Sequence, residues 1–429
     1  MLKNKKGSVT ILILLMFLSL ISCVMIFINA SREQAVKSNT KEMSLVWCES
    51  ILGEYDLNLQ GRYGIFAFEG IEKDINEKLD FYAGKSFFNK KYIKYEGANC
   101  SLYNYSLRNL PCFKKQIVKE GKYAALNKNR GIREIKAASN AKTLSPDKVD
   151  FTDLPSSNSN TFIDIKSSFE TVKKLSSIKD LIKKGTDKYF ERKYVEKYFK
   201  NDLEDKKLGR TYFNLEEEYI LNGKLSDEKN RKSTKRKIII IRSIMNLVYL
   251  QTDGKKQAET LAAAEILTPG PWAAATQKAI QAAWSLAEAR NDYIILLKGG
   301  KVPFCKTDNS WATDLKSILK SAMKKKPDAK TSHSAEKKAL EKTDFHTELP
   351  YVHVNNDSGE NYADYLSAMI FLMKDDIKLN RMMDLIEINM QTMYYGGFRL
   401  KNYSTGLHAK FKVNGGEHFV KKEYTPKRE

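Results

Sequence analysis

KNKKGSVTILILLMFLSLISCVMIFINA, residues 3–30, decides how this chain is organised. Lys3, Lys5 and Lys6 precede an apolar run from Val9 to Ile28 that only Thr10, Ser19 and Ser22 interrupt. At about 1.5 Å per residue, roughly twenty residues reach about 30 Å, the thickness of one hydrocarbon core. Lysines before the run, with no comparable cluster directly after it, predict a cytoplasmic N-terminal tip and an extracytoplasmic remainder by the positive-inside bias. A cleaved secretory signal is a second reading. Ile28-Asn29-Ala30 is a passable peptidase site that would start the chain at Ser31, although such cores usually hold about 7–15 apolar residues.

Beyond the run, Val36, Met43, Trp47 and Ile51 keep a three-to-four spacing, and no Pro or Gly interrupts residues 29–52. The spacing predicts one continuous helix, apolar all round in its first half and amphipathic in its second. That is the architecture of pilins. Lys6-Gly7-Ser8 resembles the head of a class III, prepilin-type signal, which makes Gly7 and Ser8 a third, processing reading of the same stretch. Five residues past that cut, where pilins commonly carry Glu, stands Leu12.

Apolar residues at 42% and aromatics at 11% of 429 residues suffice for real cores and for one large domain or two beyond the anchor. A net charge of +21 suggests attraction to polyanions such as anionic lipid, wall polymers or DNA. The plainer reading is surface solubility, since Lys dominates and no aromatic-interleaved basic motif occurs. Cys23, Cys48, Cys100, Cys112 and Cys305 do not form a disulfide framework, and free thiols are expected, with Cys100 and Cys112 the one pair near enough in sequence to bridge a hairpin.

The expected class is α+β, helix-dominated. Residues 1–60 form the tip, span and continuing helix, and 61–144 a small α+β region with a helix over Ile71–Phe88 and strands at Tyr92–Tyr95 and Ser101–Tyr105. Residues 145–161, SPDKVDFTDLPSSNSNT, read as a linker or surface insertion. A helical domain follows over 162–397, with Ala-rich helices expected to form a buried layer and an exposed insertion at about 323–349. Residues 398–429 close the chain with strands packing on the sheet, two of them joined by Asn414-Gly415-Gly416.

Little chemistry is written in the residue order. His333, His346, His353, His408 and His418 lack any HExxH or paired-Cys spacing, Lys298-Gly299-Gly300-Lys301 is not a phosphate loop, and no GxSxG occurs. No metal, cofactor or small-molecule substrate is therefore expected. The candidates are charges lodged in apolar helices: Arg242, Glu265, Glu288, Arg290, Asp292, Arg381, Asp384 and Glu387. Paired, they would fix helix register. Alternatively, Glu288 and Glu387 would serve as the acid and base of a wall hydrolase if the bundle brought them about 5–10 Å apart. Glu216, Glu217 and Glu218 read as a solvated face.

Five blocks in one order resemble a known, uncharacterised family: KKGSVTILILLMFLSL (5–20); ASREQA (30–35) with ESILGEYDLNLQGRYGIFAF (49–68); FNLEEEYILNGKLSDEKNRKS (213–233) with IIIIRSIMNLVYLQTD (238–253); AWSLAEARNDYIILLKGGKVPFCKT (283–307); and ENYADYLSAMIFLM (360–373) with LNRMMDLIEINM (379–390). The resemblance, from Lys5 to about Val413, is to single-span, pilin-like (TadE/TadG-like) proteins found with tight-adherence (Tad) pilus and secretion genes of Gram-positive bacteria. It implies a membrane-anchored, non-enzymatic accessory whose partners are other pilin-like or Tad-type assembly proteins. It carries over no catalytic residue.

Overall fold

The computed structural model describes residues 5–126, 149, 151, 153–158, 186–203, 210–323, 350–354, 356 and 358–424. The protein is α+β and helix-dominated, and it divides into two compact units, Met1–Gln116 with Gly397–Glu429, and Ile117–Gly396. The second passage, at Gly397, lies one residue from the expected boundary at 398, while the first, after Gln116, falls inside a helix, where nothing local marks it.

In the first unit, α1 runs unbroken over Lys5–Gly53. Every side chain from Val9 to Ala35 is exposed, and from Val36 onward a stripe of Val36, Thr40, Ser44, Trp47, Cys48 and Ile51 is buried at the expected three-to-four spacing. That stripe packs on Ile75, Leu79 and Ala83 of α3 (Glu72–Ser86) and on Leu407, Ala409 and Phe411 of the sheet. Trp47 meets Phe87 edge-on at 5.3 Å and donates its indole N–H to Ser86 Oγ at 2.9 Å. Between them, α2 (Leu57–Tyr63) is capped by Asp56, which accepts from Asn58 N and Leu59 N, and ends on Gly64 at φ 66°.

The sheet order is β2-β4-β5, all antiparallel: β2 (Tyr95–Ser101), β4 (Gly406–Val413) and β5 (Gly416–Glu423). Asn414 and Gly415, at φ 50° and 75°, make the two-residue hairpin turn expected of Asn-Gly. Two short strands, β1 (Phe68–Glu69) and β3 (Tyr403–Ser404), pair separately. The expected strands at 92–95 and 101–105 are corrected to one strand between them, and Tyr103–Tyr105 is a 3-10 turn. The reason lies in α3. Glu72, Asn76 and Asp80, four residues apart, accept from the amides of Leu102, Cys100 and Ala98 along the outer edge of β2. A helical turn of about 6 Å matches two strand residues of about 6.6 Å, so one helix face satisfies the edge. All five cysteines are free thiols, and burial pushes those of Cys48 and Cys100 up to about 12.

The chain leaves the first unit within α4 (Leu110–Leu126). In the second unit follow α5 (Asp187–Tyr198), α6 (Glu216–Asn222), α7 (Asp227–Thr252), α8 (Gly254–Leu267), α9 (Ala273–Leu297), α10 (Leu315–Met323), α11 (Tyr362–Leu372) and α12 (Asp375–Met393). α7 lies along α9, and α12 is the central helix, buried at nearly every position from Ile377 to Thr392. Two expectations are corrected. Part of the supposed linker belongs to the core, because Val149 and Leu154 are 8% and 4% exposed and the turn Pro155–Asn158 docks on α12. The alanines of α8 do not form a wholly buried layer, since only Thr260, Ala263 and Ala264 face inward. Residues 162–185, the start of the expected helical domain, and most of the insertion at 323–349 lie outside the described residues.

Candidate functional site

Of the ionisable residues picked out in the sequence, Arg242, Glu288, Asp292, Arg381 and Asp384 gather in the second unit as two buried polar clusters. The first forms where α7 meets α9. Arg242 and Asn246, one turn apart on α7, face Glu288 and Asp292, one turn apart on α9. Arg242, with 0% exposure, donates from Nε to Asp292 Oδ2 at 3.0 Å and from Nη2 to Asn246 Oδ1 at 3.0 Å. Its Nη1 reaches the carbonyls of Pro303 and Phe304 and the hydroxyl of Tyr365 on α11. Lys306, from the loop after α9, bridges Glu288 Oε1 and Asp292 Oδ1, each at 2.7 Å.

Glu288 also accepts from Ala312 N, Thr313 N and Thr313 Oγ1 at 2.8–2.9 Å, so both its oxygens are occupied. Two cations face two anions, and the cluster is neutral. Burial alone would raise the Asp292 carboxyl, but Arg242 and Lys306 hold it below the usual carboxylate range.

The second cluster joins α6 to α12. Asp384 accepts from Ser156 N at 2.9 Å and from the Tyr219 hydroxyl at 3.0 Å, and Arg381 donates to the Ile220 carbonyl at 2.9 Å. Burial pushes Asp384 up and Arg381 down. Gly223 closes α6 at φ +62°, and a Cβ there would stand 2.7 Å from Arg381 Nε. Lys378, at the start of α12, is ion-paired with buried Glu191 of α5.

Glu216, Glu217 and Glu218 are not a solvated face: all three are buried. Glu216 accepts from Lys200 N and Asn389 Nδ2, Glu217 from Asn201 Nδ2, and Glu218 from Asp202 N and the Tyr362 hydroxyl. Successive carboxylates thus hold successive residues of the segment after α5. Burial, then the charge of Glu217, push Glu218 up to about 7.

Of the residues named from sequence, Arg242, Glu288 and Asp292 meet in the first cluster, and Arg381 and Asp384 in the second. Glu265 is corrected: it is exposed, because the buried stripe of α8 passes through Ala263 and Ala264 and turns Glu265 to solvent. Arg290 is half-buried. Glu387 is buried on α12 and is not among the partners of Glu288, which are Lys306, Ala312 and Thr313. The sequence reading missed Lys306, Asn246, Tyr365 and Tyr362. Only Asn246 carried a signal, its one-turn spacing from Arg242. His353 contacts the Tyr351 hydroxyl at 3.0 Å, and His333 and His346 lie outside the described residues. Among the described residues no three His, Cys, Asp or Glu side chains gather as metal ligands would.

The arrangement can hold helices in register; a carboxylate with both oxygens bonded inside a closed core presents no face to a substrate. No curated protein and no solved structure matches the chain. A family of unknown function matches residues 115–415, a stretch that contains the whole second unit and both clusters but not α1. The chain belongs to that family, DUF5702.

Proposed function

We propose that the protein is a single-span, membrane-anchored, extracytoplasmic and non-enzymatic accessory of a Tad-type pilus or secretion system. The observation that carries this reading is α1. Its first half exposes apolar side chains on every side, with Leu12 to Phe17 each at least 59% exposed, while its second half is built into a core without a break. Twenty such side chains in water would be strongly unfavourable at about 25 cal/mol per Å², whereas lipid or neighbouring apolar helices would cover them. The non-enzymatic part is supported by Glu288, whose two oxygens are both bonded to internal partners. The Tad context is supported by the resemblance of the five sequence blocks.

Mass spectrometry of the mature N-terminus, with membrane fractionation, in cells with and without the prepilin peptidase tests the reading. A chain starting at Ser8 only when that peptidase is present supports entry into the pilin pathway. An intact, membrane-held N-terminus supports a static anchor. A soluble chain starting at Ser31 overturns the anchored reading and leaves the basic chain as a released polyanion-binding protein.

A further inference from the structure

α1 serves as a ruler for the first unit. From Ile28, the end of the apolar run, Arg32 lies about 6 Å and Val36 about 12 Å along the helix axis. Residues 29–35 are exposed, so the unit's core begins just beyond a headgroup layer about 5–8 Å deep.

Contacts within the unit show which end faces that layer. α3 runs antiparallel to α1, since its Lys78 pairs with Glu54 while its last residue, Ser86, accepts from Trp47. The loop after α3 continues the same way until Tyr92 lies beneath Arg32, whose guanidinium is 5.8 Å from the ring centre. The β4–β5 turn reaches the same place: Asn414 Nδ2 donates to Tyr92 O, and its Oδ1 accepts from Lys94 N. From there β5 runs back along α1, with His418 near Lys37 and Lys422 paired with Glu49.

This end carries the side chains of a lipid interface. Phe88 is 74% and Tyr92 43% exposed. Arg32, Lys37, Lys90 and Lys91 have no carboxylate partner in an ion pair among the described residues, and Lys94 faces Glu96, which Lys412 already holds at 3.2 Å. Of the acidic groups nearby, Glu417 is paired with Lys410, leaving Glu33 and Glu42 on α1, the latter farther along the helix and hydrogen-bonded to Ser38. Exposed aromatics among unpaired cations suit the boundary between acyl chains and phosphates.

We propose that this end of the first unit, with Arg32, Lys37, Phe88, Lys90, Lys91 and Tyr92, seats on the anionic headgroups of the leaflet from which α1 emerges. The proposal rests on α1 being a span, and its partner is the phosphate-bearing lipid surface.

The full chain in liposomes of phosphatidylcholine, with and without about a third of phosphatidylglycerol, separates the two ideas: retention through a carbonate wash reports the span, and hydrogen exchange over residues 86–95 reports the docking. Retention is expected in both lipids. Exchange over 86–95 is expected to slow about fivefold or more in the anionic lipid, and K90E/K91E, two surface changes, should abolish the difference without affecting retention. Equal exchange in both lipids with the protein retained overturns the docking and leaves the span standing. Loss through the wash overturns both.

Discussion

Arg242 is the residue on which the first cluster turns, because it alone contacts α9, the loop after it and α11 at once. Arg242→Met would leave Glu288 and Asp292 sharing one lysine in a closed core, and breaking a buried pair costs about 3–5 kcal/mol. Denaturant unfolding of the detergent-solubilised chain should show that loss, and R242M/D292L should recover part of it.

Glu218 tests the second cluster through pH. Burial, with the charge of Glu217 beside it, pushes its folded carboxyl up to about 7, while in the unfolded chain it returns to the ordinary glutamate range of about 4.3. Between those values the unfolded chain binds fewer protons than the folded one, so stability falls as pH rises through that window and levels off above it. A separation of this size corresponds to about 3 kcal/mol. Glu218→Gln, which keeps the acceptor for Tyr362 and Asp202, should flatten the slope; an unchanged slope in E218Q would show that another group causes it. The three glutamates also show why the site was half-legible. Charge normally marks an outer face, and that default outweighed the neighbours Phe213, Leu215, Tyr219, Ile220 and Leu221, which flank the acidic run with apolar side chains and are themselves all buried.

At the scale of elements, the helices were legible because their period is local. The stripe Val36-Met43-Trp47-Ile51 and the Asn-Gly turn each follow from residues close in sequence. Where an element depends on a remote partner, the reading slipped. β2 has no alternating pattern of its own, and α3 and β4 hold it from either side. Removing the α3 side of that support has a defined result. Asn76→Ala leaves the Cys100 amide without its acceptor, at a cost of about 1–2 kcal/mol, and should speed exchange at Cys100 while the β4–β5 amides stay protected. Gly223→Ala is expected to cost more than an ordinary helix-end change, because it combines the left-handed backbone with a Cβ that displaces Arg381 from the Ile220 carbonyl. A crystal structure or the unfolding midpoint of G223A would show it.

At the scale of the whole molecule, the first unit takes its core from both ends of the chain: Trp47, Cys48 and Ile51 of α1 on one side, Leu407, Ala409 and Phe411 of β4 on the other. The order of residues announces closing strands that pack on the sheet but not which strand they meet or in what register, since Tyr95–Ser101 reaches its partner strand only after the second unit has been traversed. The arrangement separates the exposed apolar half of α1, which the proposed function makes the anchor, from the half built into the core, because the exposed run ends at Ala35 and the buried stripe begins at Val36. A chain beginning at Ser31 should therefore be soluble and keep the wild-type unfolding midpoint. A chain beginning at Gly53 should lose the first unit, since it discards the stripe that Phe87 and Phe411 pack against. Ending the chain at Gly396 should do the same from the other side by removing β4, with the second unit still protected from exchange and proteolysis. If the chain from Ser31 instead aggregated or unfolded, the apolar half of α1 would be part of the fold itself, and the division of that helix into anchor and core would have to be abandoned.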